Sequence, residues 1–240
     1  MLFSTACGGK KQAKVEVPAA PPISQTPAST ASEDSESSPS KPSLPKHEPS
    51  SNSHDRAKPI LVETGLASWY GGPYHNRHAS NGEIYNKNAM TAAHRTLPLE
   101  STVRVTDIKT GKSTIVRITD RGPFVQGRIL DLSEAAAKKI DLWAAGVAMV
   151  RIEVLTSPVP INSGGRWAVQ IGAFEKEHTA DKLADNLSHR YQTARVLCFS
   201  SPIGDWWVRV RVQSDDRRRA EEVAHQTHPS EGDVFLVRLD

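Results

Sequence analysis

Thr102-Val103-Arg104-Val105-Thr106-Asp107, a turn at Thr110-Gly111-Lys112, and the return run Ser113 to Thr119 decide how the first half of this chain is read. Both runs alternate apolar and polar residues, as a half-buried strand does, and the short polar turn between them makes them a hairpin. Working outward, Gly65 to Tyr70 is strand-like and stops at Gly71-Gly72-Pro73. Arg128 to Leu132 is another short strand. Ser133 is placed to cap a helix through Ile140, with Glu134 in its first turn and Lys138 and Lys139 in its last, matching the helix dipole. Val147 to Leu155 closes the domain, taken as residues 62–156. About six strands and one short helix predict a small, mainly β barrel rather than an α/β sheet.

A second domain follows. Ser157-Pro158-Val159-Pro160 and Ser163-Gly164-Gly165 mark a linker, taken as residues 157–164. Over residues 165–240 the pattern reads strand (Arg166–Ala173), helix (Thr179–Tyr191), strand (Arg195–Phe199), strand (Trp206–Val212), helix (Asp216–Thr227), strand (Val234–Val237). The order βαββαβ predicts an α+β domain, a four-stranded antiparallel sheet with both helices on one face. Alternation puts Val208, Val210 and Val212 under the helices and Trp207, Arg209 and Arg211 on the open face. Cys198, among apolar neighbours, reads as a buried, unreactive thiol.

Composition separates these domains from what precedes them. More than half of the prolines fall before residue 60, and residues 8–61 are rich in Pro, Ser, Ala, Lys and Glu with almost no large apolar side chains. Such a segment buries too little surface to offset its ordering entropy and is expected to be a disordered linker. A net charge of +3 is too small for a dedicated nucleic-acid binder, and no run of about 18 apolar residues is present to span a membrane as a helix. Two cysteines, Cys7 and Cys198, give neither a disulfide framework nor a zinc site built from cysteine alone. Phe3-Ser4-Thr5-Ala6-Cys7-Gly8 resembles the end of a bacterial lipoprotein signal, with Ser4 where leucine is usual. The resemblance implies a lipid on Cys7, residues 1–7 as the end of the signal, and a membrane anchor, with Gly8 compatible with the outer membrane.

Three clusters carry the chemistry: Ser80-Asn81-Gly82-Glu83, Thr91-Ala92-Ala93-His94 and Thr119-Asp120-Arg121-Gly122-Pro123-Phe124. Glutamate, histidine and aspartate delivered at strand ends suggest an acid/base site on a β scaffold. These clusters, with Gly65–Gly71, Met90–Pro98 and Arg128–Ala137, resemble the rare lipoprotein A family, RlpA. That resemblance implies a double-psi β-barrel related to expansins, lytic transglycosylase activity on peptidoglycan, and Asp120 and Glu83 as required residues. Such an enzyme cuts the MurNAc–GlcNAc β-1,4 bond with the sugar's own 6-hydroxyl, leaving 1,6-anhydro ends. Asp120 is favoured as acid/base, with Glu83 orienting the sugar or assisting proton transfer. His94 reads either as a partner to these carboxylates or as a satisfied structural histidine. Asn81 and Arg121 are expected to bind substrate. Trp69 and Tyr70 read as stacking platforms or as core. Asp131, between apolar neighbours before a cap, reads as structural. His75, His78 and His94 are too loosely spaced for zinc, and no cofactor is expected.

Trp167-Ala168-Val169-Gln170-Ile171-Gly172-Ala173-Phe174 and Trp207 to Val212 resemble the SPOR domain. The resemblance implies binding of glycan strands stripped of stem peptides, enriched at division septa, through Gln170, Trp207, Arg209 and Arg211, with Phe174 nearby. The whole then reads as an envelope lipoprotein acting in septal wall processing, with peptidoglycan strands as partner and no protein partner indicated. Two other readings stand beside it: an expansin-like protein that binds the wall without cutting it, and an ordinary hydrolase that uses water.

Overall fold

A computed structural model describes residues 58–240. The lipidation assigned to Cys7 and the linker up to residue 57 lie outside the described residues.

The first domain contains β1 (Leu61–Tyr70), β2 (Thr91–His94), β3 (Thr102–Asp107), β4 (Ser113–Asp120), β5 (Arg128–Ser133) and β6 (Ala148–Thr156). They close into a barrel in the order β1-β5-β2-β4-β3-β6. Two of the pairings, β1 with β5 and β2 with β4, are parallel, and the rest are antiparallel. The expected hairpin is β3–β4, with Val103 opposite Val116. Its alternation has the predicted consequence: Val103, Val105, Val116 and Ile118 point inward, where they meet Leu130, Leu132, Val150, Ile152 and Val154.

One end of this core is closed by α1 (Glu134–Lys139) and α2 (Leu142–Ala145). Ser133 caps α1 by accepting from the Ala136 N–H at 3.2 Å, while its hydroxyl donates to the Ala89 carbonyl at 2.6 Å. The cap therefore also ties the helix to the loop before β2. Two features depart from the sequence expectation. First, β1 begins at Leu61 rather than Gly65, because its first half pairs with β6. Second, β2 is a strand that the pattern does not signal. It is four residues long and wholly buried, so no alternation marks it, and two of its residues are alanines, which have low strand preference.

The second domain contains β7 (Trp167–Phe174), α3 (Glu177–Arg190), β8 (Arg195–Ser200), β9 (Trp206–Arg211), α4 (Arg217–Gln226) and β10 (Asp233–Arg238). The βαββαβ order is as expected, and the antiparallel sheet runs β10-β7-β9-β8. Trp167, Val169, Ile171, Val208 and Val210 pack with Ala180 and Leu187 of α3 and Ala220 and Val223 of α4. Cys198 is half-buried here, and burial pushes its thiol pKa up to about 11. Phe174 corrects one expectation. The register of β7 shifts between Ile171 and Phe174, which turns Phe174 onto the helix side, where it is 1% exposed. It therefore does not meet a ligand on the other face.

The other face of the sheet is not open. Trp207, Phe235 and Val237 are buried, and Phe124 of the barrel packs on them, its ring centroid 5.2 Å from Trp207 and 5.7 Å from Phe235. Main-chain and side-chain bonds continue the contact. The Arg238 N–H donates to the Arg95 carbonyl, the Leu99 N–H to the Asp240 carbonyl, and the Arg121 guanidinium to the same Asp240 carbonyl at 2.6 Å. Arg238 also holds the inter-domain segment by donating to the carbonyls of Pro160 and Ile161. At Gly165, a Cβ would lie 2.7 Å from that guanidinium.

Candidate active site

The groove at this junction is organised by strand register. Ala93 of β2 pairs with Asp120 on β4 and with Asp131 on β5. The two aspartates therefore flank one alanine across three adjacent strands, with Cα atoms separated by about two strand spacings, roughly 10 Å. Both line a groove of about 410 Å³ together with Tyr70 and Tyr74 of the barrel and Gln170, Trp207 and Arg209 of the sheet.

The aspartates are held differently. Asp120 Oδ1 accepts from the Ser80 N–H at 3.0 Å, the Ser80 hydroxyl at 2.5 Å and the Arg121 N–H at 2.8 Å. Among the described residues no donor reaches its Oδ2. The Asp131 carboxylate accepts from the Ser68 hydroxyl at 2.7 Å and from Arg128 at 3.2 Å. Its side chain is only 14% exposed. Burial raises its pKa above the ordinary carboxylate value, and this outweighs the opposing pull of Arg128 and Ser68. Tyr70 stacks on Tyr85 at 4.4 Å and meets Tyr74 edge-on at 5.7 Å. Its buried hydroxyl has no hydrogen-bond partner among the described residues. Burial first, then the charges of Asp120, Tyr85 and Asp131, push its pKa well up, so it stays a neutral donor facing the two acids.

Other residues expected in the site lie elsewhere. Glu83 is exposed, and both its oxygens accept from Arg117, at 2.9 and 2.7 Å, which lowers its pKa. Arg117 also binds Glu100, which in turn accepts from Asn81. Glu83 and Asn81 thus belong to a surface network, and their loop reaches the groove through Ser80. His94 is buried. Its Nδ1 accepts from the N–H groups of Thr96 and Leu97 at 3.1 and 3.0 Å, which leaves Nε2 as the donor toward Glu63 at 3.4 Å. Burial lowers its pKa and keeps it neutral. It lines a separate hollow with Leu61, Glu63 and Trp167. His94 thus lies outside the hollow that Asp120 lines.

Arg121 reaches the groove, but its guanidinium donates to the carbonyls of His94, Leu97 and Asp240. Burial lowers its pKa to about 10. It clamps these three carbonyls together within the protein. Trp69 lies against Trp143, ring centroids 6.1 Å apart, and packs on the barrel core. In the sheet, Arg209 and Gln170 bond to each other in the groove, whereas Arg211 is paired with Asp215. Sequence reasoning read Asp131 as structural and gave Ser80 and Phe124 no role beyond membership of their clusters, whereas all three line the groove. The available signal was Asp131 itself, since aspartate is disfavoured inside a strand.

Residues 62–152 match the family model described as lytic transglycolase, and residues 163–238 match the SPOR domain. The similar proteins include relatives named endolytic peptidoglycan transglycosylase RlpA. That of Vibrio cholerae is 48% identical over 134 residues, covering 53% of this chain and 51% of its own. That of Campylobacter jejuni is 40% identical over 163 residues, covering 58% and 57%. That of Pseudomonas aeruginosa is 55% identical over 116 residues, covering 48% and 34%. The chain is similar to RlpA proteins, with a lytic transglycolase match followed by a SPOR match. It spans about half the length of the first RlpA relatives it matches. The barrel expected for the RlpA family, and the SPOR sheet after it, are the two folds described above.

Proposed function

We propose that this chain is an endolytic peptidoglycan transglycosylase and that Asp120 and Asp131 are its reacting carboxyl groups. The observation that carries the reading is their placement on either side of Ala93, in one groove flanked by tyrosines. Glycosidic cleavage calls for a proton at the leaving oxygen and a carboxylate near the sugar. Asp131, which burial keeps protonated to higher pH, donates its proton to the GlcNAc O4 as the C1–O4 bond breaks. The MurNAc 6-hydroxyl forms the new C1–O6 bond, and its proton passes to Asp120 through the oxygen that no internal donor occupies. No water is consumed, and the product carries a 1,6-anhydro end. The Tyr70 hydroxyl, a neutral buried donor, serves to hold a sugar oxygen between the two.

Further parts of the reading rest on the resemblance and the SPOR match: preference for strands lacking stem peptides, action at the division septum, and anchoring through a lipid on Cys7 to the outer membrane. The test is to incubate the chain with amidase-stripped sacculi and weigh the products. Anhydro ends support a transglycosylase. Reducing ends indicate a hydrolase, and intact strands leave a protein that only binds. The binding-only reading draws on one observation, that Glu83, required by family resemblance, is locked to Arg117 outside the groove.

A further inference from the structure

Asp131 shares its side of β5 with a cation that strand alternation would not have put there. Leu130 and Leu132 point into the barrel core, so a regular strand would turn Arg128 inward and Ile129 out beside Asp131. The pairing with β1 is not regular: Leu66 faces Arg128, but the next residue, Ala67, faces Leu130. Ile129 is thus an extra residue, a bulge, and bulges re-aim the side chains beside them. Ile129 packs on the core and over Gly65, where a Cβ would lie 2.8 Å from it. Arg128 reaches Asp131 instead, its Nη2 donating to Oδ2 at 3.2 Å.

Both side chains of this pair are largely withdrawn from water, 23% and 14% exposed. Among the described residues Asp131 is the only carboxylate that Arg128 bonds, and the Arg128 Nε is buried with no acceptor. A stranded donor costs stability, so packing alone does not account for an arginine here. Ser68 holds the other oxygen of Asp131 at 2.7 Å. The remaining charged or titratable groups around Asp131 are Arg95, Tyr70 and Tyr74, with Asp120, Asp205 and Arg209 elsewhere on the groove. Of these cations, Arg95 is committed to the carbonyls of Pro123 and Arg128, and Arg209 to Gln170. Arg128 alone touches the carboxyl.

A buried acid that must give up a proton faces opposing demands. Burial keeps the proton on, as a general acid needs, but it also disfavours the carboxylate left after transfer. A cation 3.2 Å away strengthens its hold as that charge appears. We propose that Arg128, turned toward Asp131 by the Ile129 bulge, is a positioning residue: it stabilises the carboxylate that forms as Asp131 releases its proton, and it sets the upper pH limit of that step. This rests on Asp131 being the acid proposed above. The proton passes from the Asp131 oxygen to the leaving sugar oxygen, and the guanidinium keeps all of its own protons throughout.

The experiment uses the full chain and glycan strands without stem peptides, with the parent, Arg128→Met and Arg128→Lys assayed across pH. Methionine keeps an apolar stem and removes the charge. The alkaline limb of the kcat profile should move up by about one pH unit, because the nearest opposite charge is gone. The plateau below it should fall by up to about tenfold, the limit set by one unit of acidity. KM should stay within about twofold, and Arg128→Lys should recover part of both changes. A second readout needs no turnover. Aspartate carboxyls are labelled with carbon-13, and the Asp131 signal, identified by its loss in Asp131→Asn, is titrated by NMR. Its midpoint should rise in Arg128→Met by the same interval as the limb. In the Asp131→Asn background, Arg128→Met should cost no further turnover.

A limb that stays in place while kcat falls makes Arg128 structural only and overturns the proposal. So does an Asp131 midpoint that fails to rise. A loss confined to KM, with kcat unchanged, also overturns it, because the guanidinium would then be a contact for the strand. A midpoint that rises in a chain whose turnover survives Asp131→Asn upholds the pair and sinks the reaction assigned to Asp131.

Discussion

Replacing Asp131 with asparagine separates catalysis from stability, because the structure predicts opposite effects on the two. The change is nearly isosteric. The amide oxygen keeps the bond from the Ser68 hydroxyl, now 2.7 Å, and gives up only the charge facing Arg128 at 3.2 Å. It also gives up the proton. A positioned general acid supplies about 10²–10⁴ in rate, equivalent to roughly 3–5 kcal/mol of barrier. Anhydro-end formation on stripped sacculi should therefore fall by at least about 10², while binding of the strand persists.

Stability should move the other way. The folded-state pKa of Asp131 is raised by burial. Its contribution is therefore fully present below the unfolded-state pKa and is lost as pH rises through the folded one. Asparagine carries no such loss, so the variant should gain stability over the parent as pH rises through that window, then hold the gain. Urea unfolding at a series of pH values, followed by tryptophan fluorescence, reads the difference. The pH–rate profile of the parent should fall on its alkaline side as Asp131 ionises. Turnover retained within a factor of about three of the parent, or a variant less stable at neutral pH than at acid pH relative to the parent, would refute the argument.

The remaining predictions concern the residues around the groove. Glu83→Gln should cost less in kcat than Asp131→Asn or Asp120→Asn, because its carboxylate is spent on Arg117 outside the groove; steady-state product release by mass spectrometry ranks the three. Arg121→Met strands the carbonyls of His94, Leu97 and Asp240 and should destabilise the chain by about 3 kcal/mol or more, measured by denaturant unfolding. Phe124→Ala removes the ring packed on Trp207 and Phe235 and should weaken that contact by about 2–3 kcal/mol. Faster proteolysis within residues 157–165 and a changed Trp207 emission would report it.

The strands β3, β4 and β9 were legible in the sequence because apolar residues recur at every second position along each, the period of a strand face. The Ser133 cap and the βαββαβ order were legible for the same reason, since both are local. What escaped is non-local. β2 exists because β4 and β5 pair with both its edges, and nothing within Thr91–His94 announces it. Phe174 follows alternation until a register shift reverses it. The role proposed for Asp131 depends on Ser68, Arg128 and a groove wall contributed by residues far along the chain. The sheet's covered face was invisible for the same reason, because Phe124 sits in a loop of the other domain. Glu83 was named from the motif, yet which loop residue faces the groove was settled by a surface arginine.

The pairing of Ala93 with both acids has a consequence for how this site tolerates change. The span between the two proposed reacting groups is a main-chain dimension, two rungs of interstrand hydrogen bonding, and no side chain sets it. Repacking the barrel interior alters how readily the chain melts but leaves that ruler unchanged as long as β2 stays seated between its neighbours. The vulnerable point is the small residue itself. A bulkier side chain at position 93 would stand on the floor between the two acids and occupy the volume that the sugar ring needs, with every reacting group still in place.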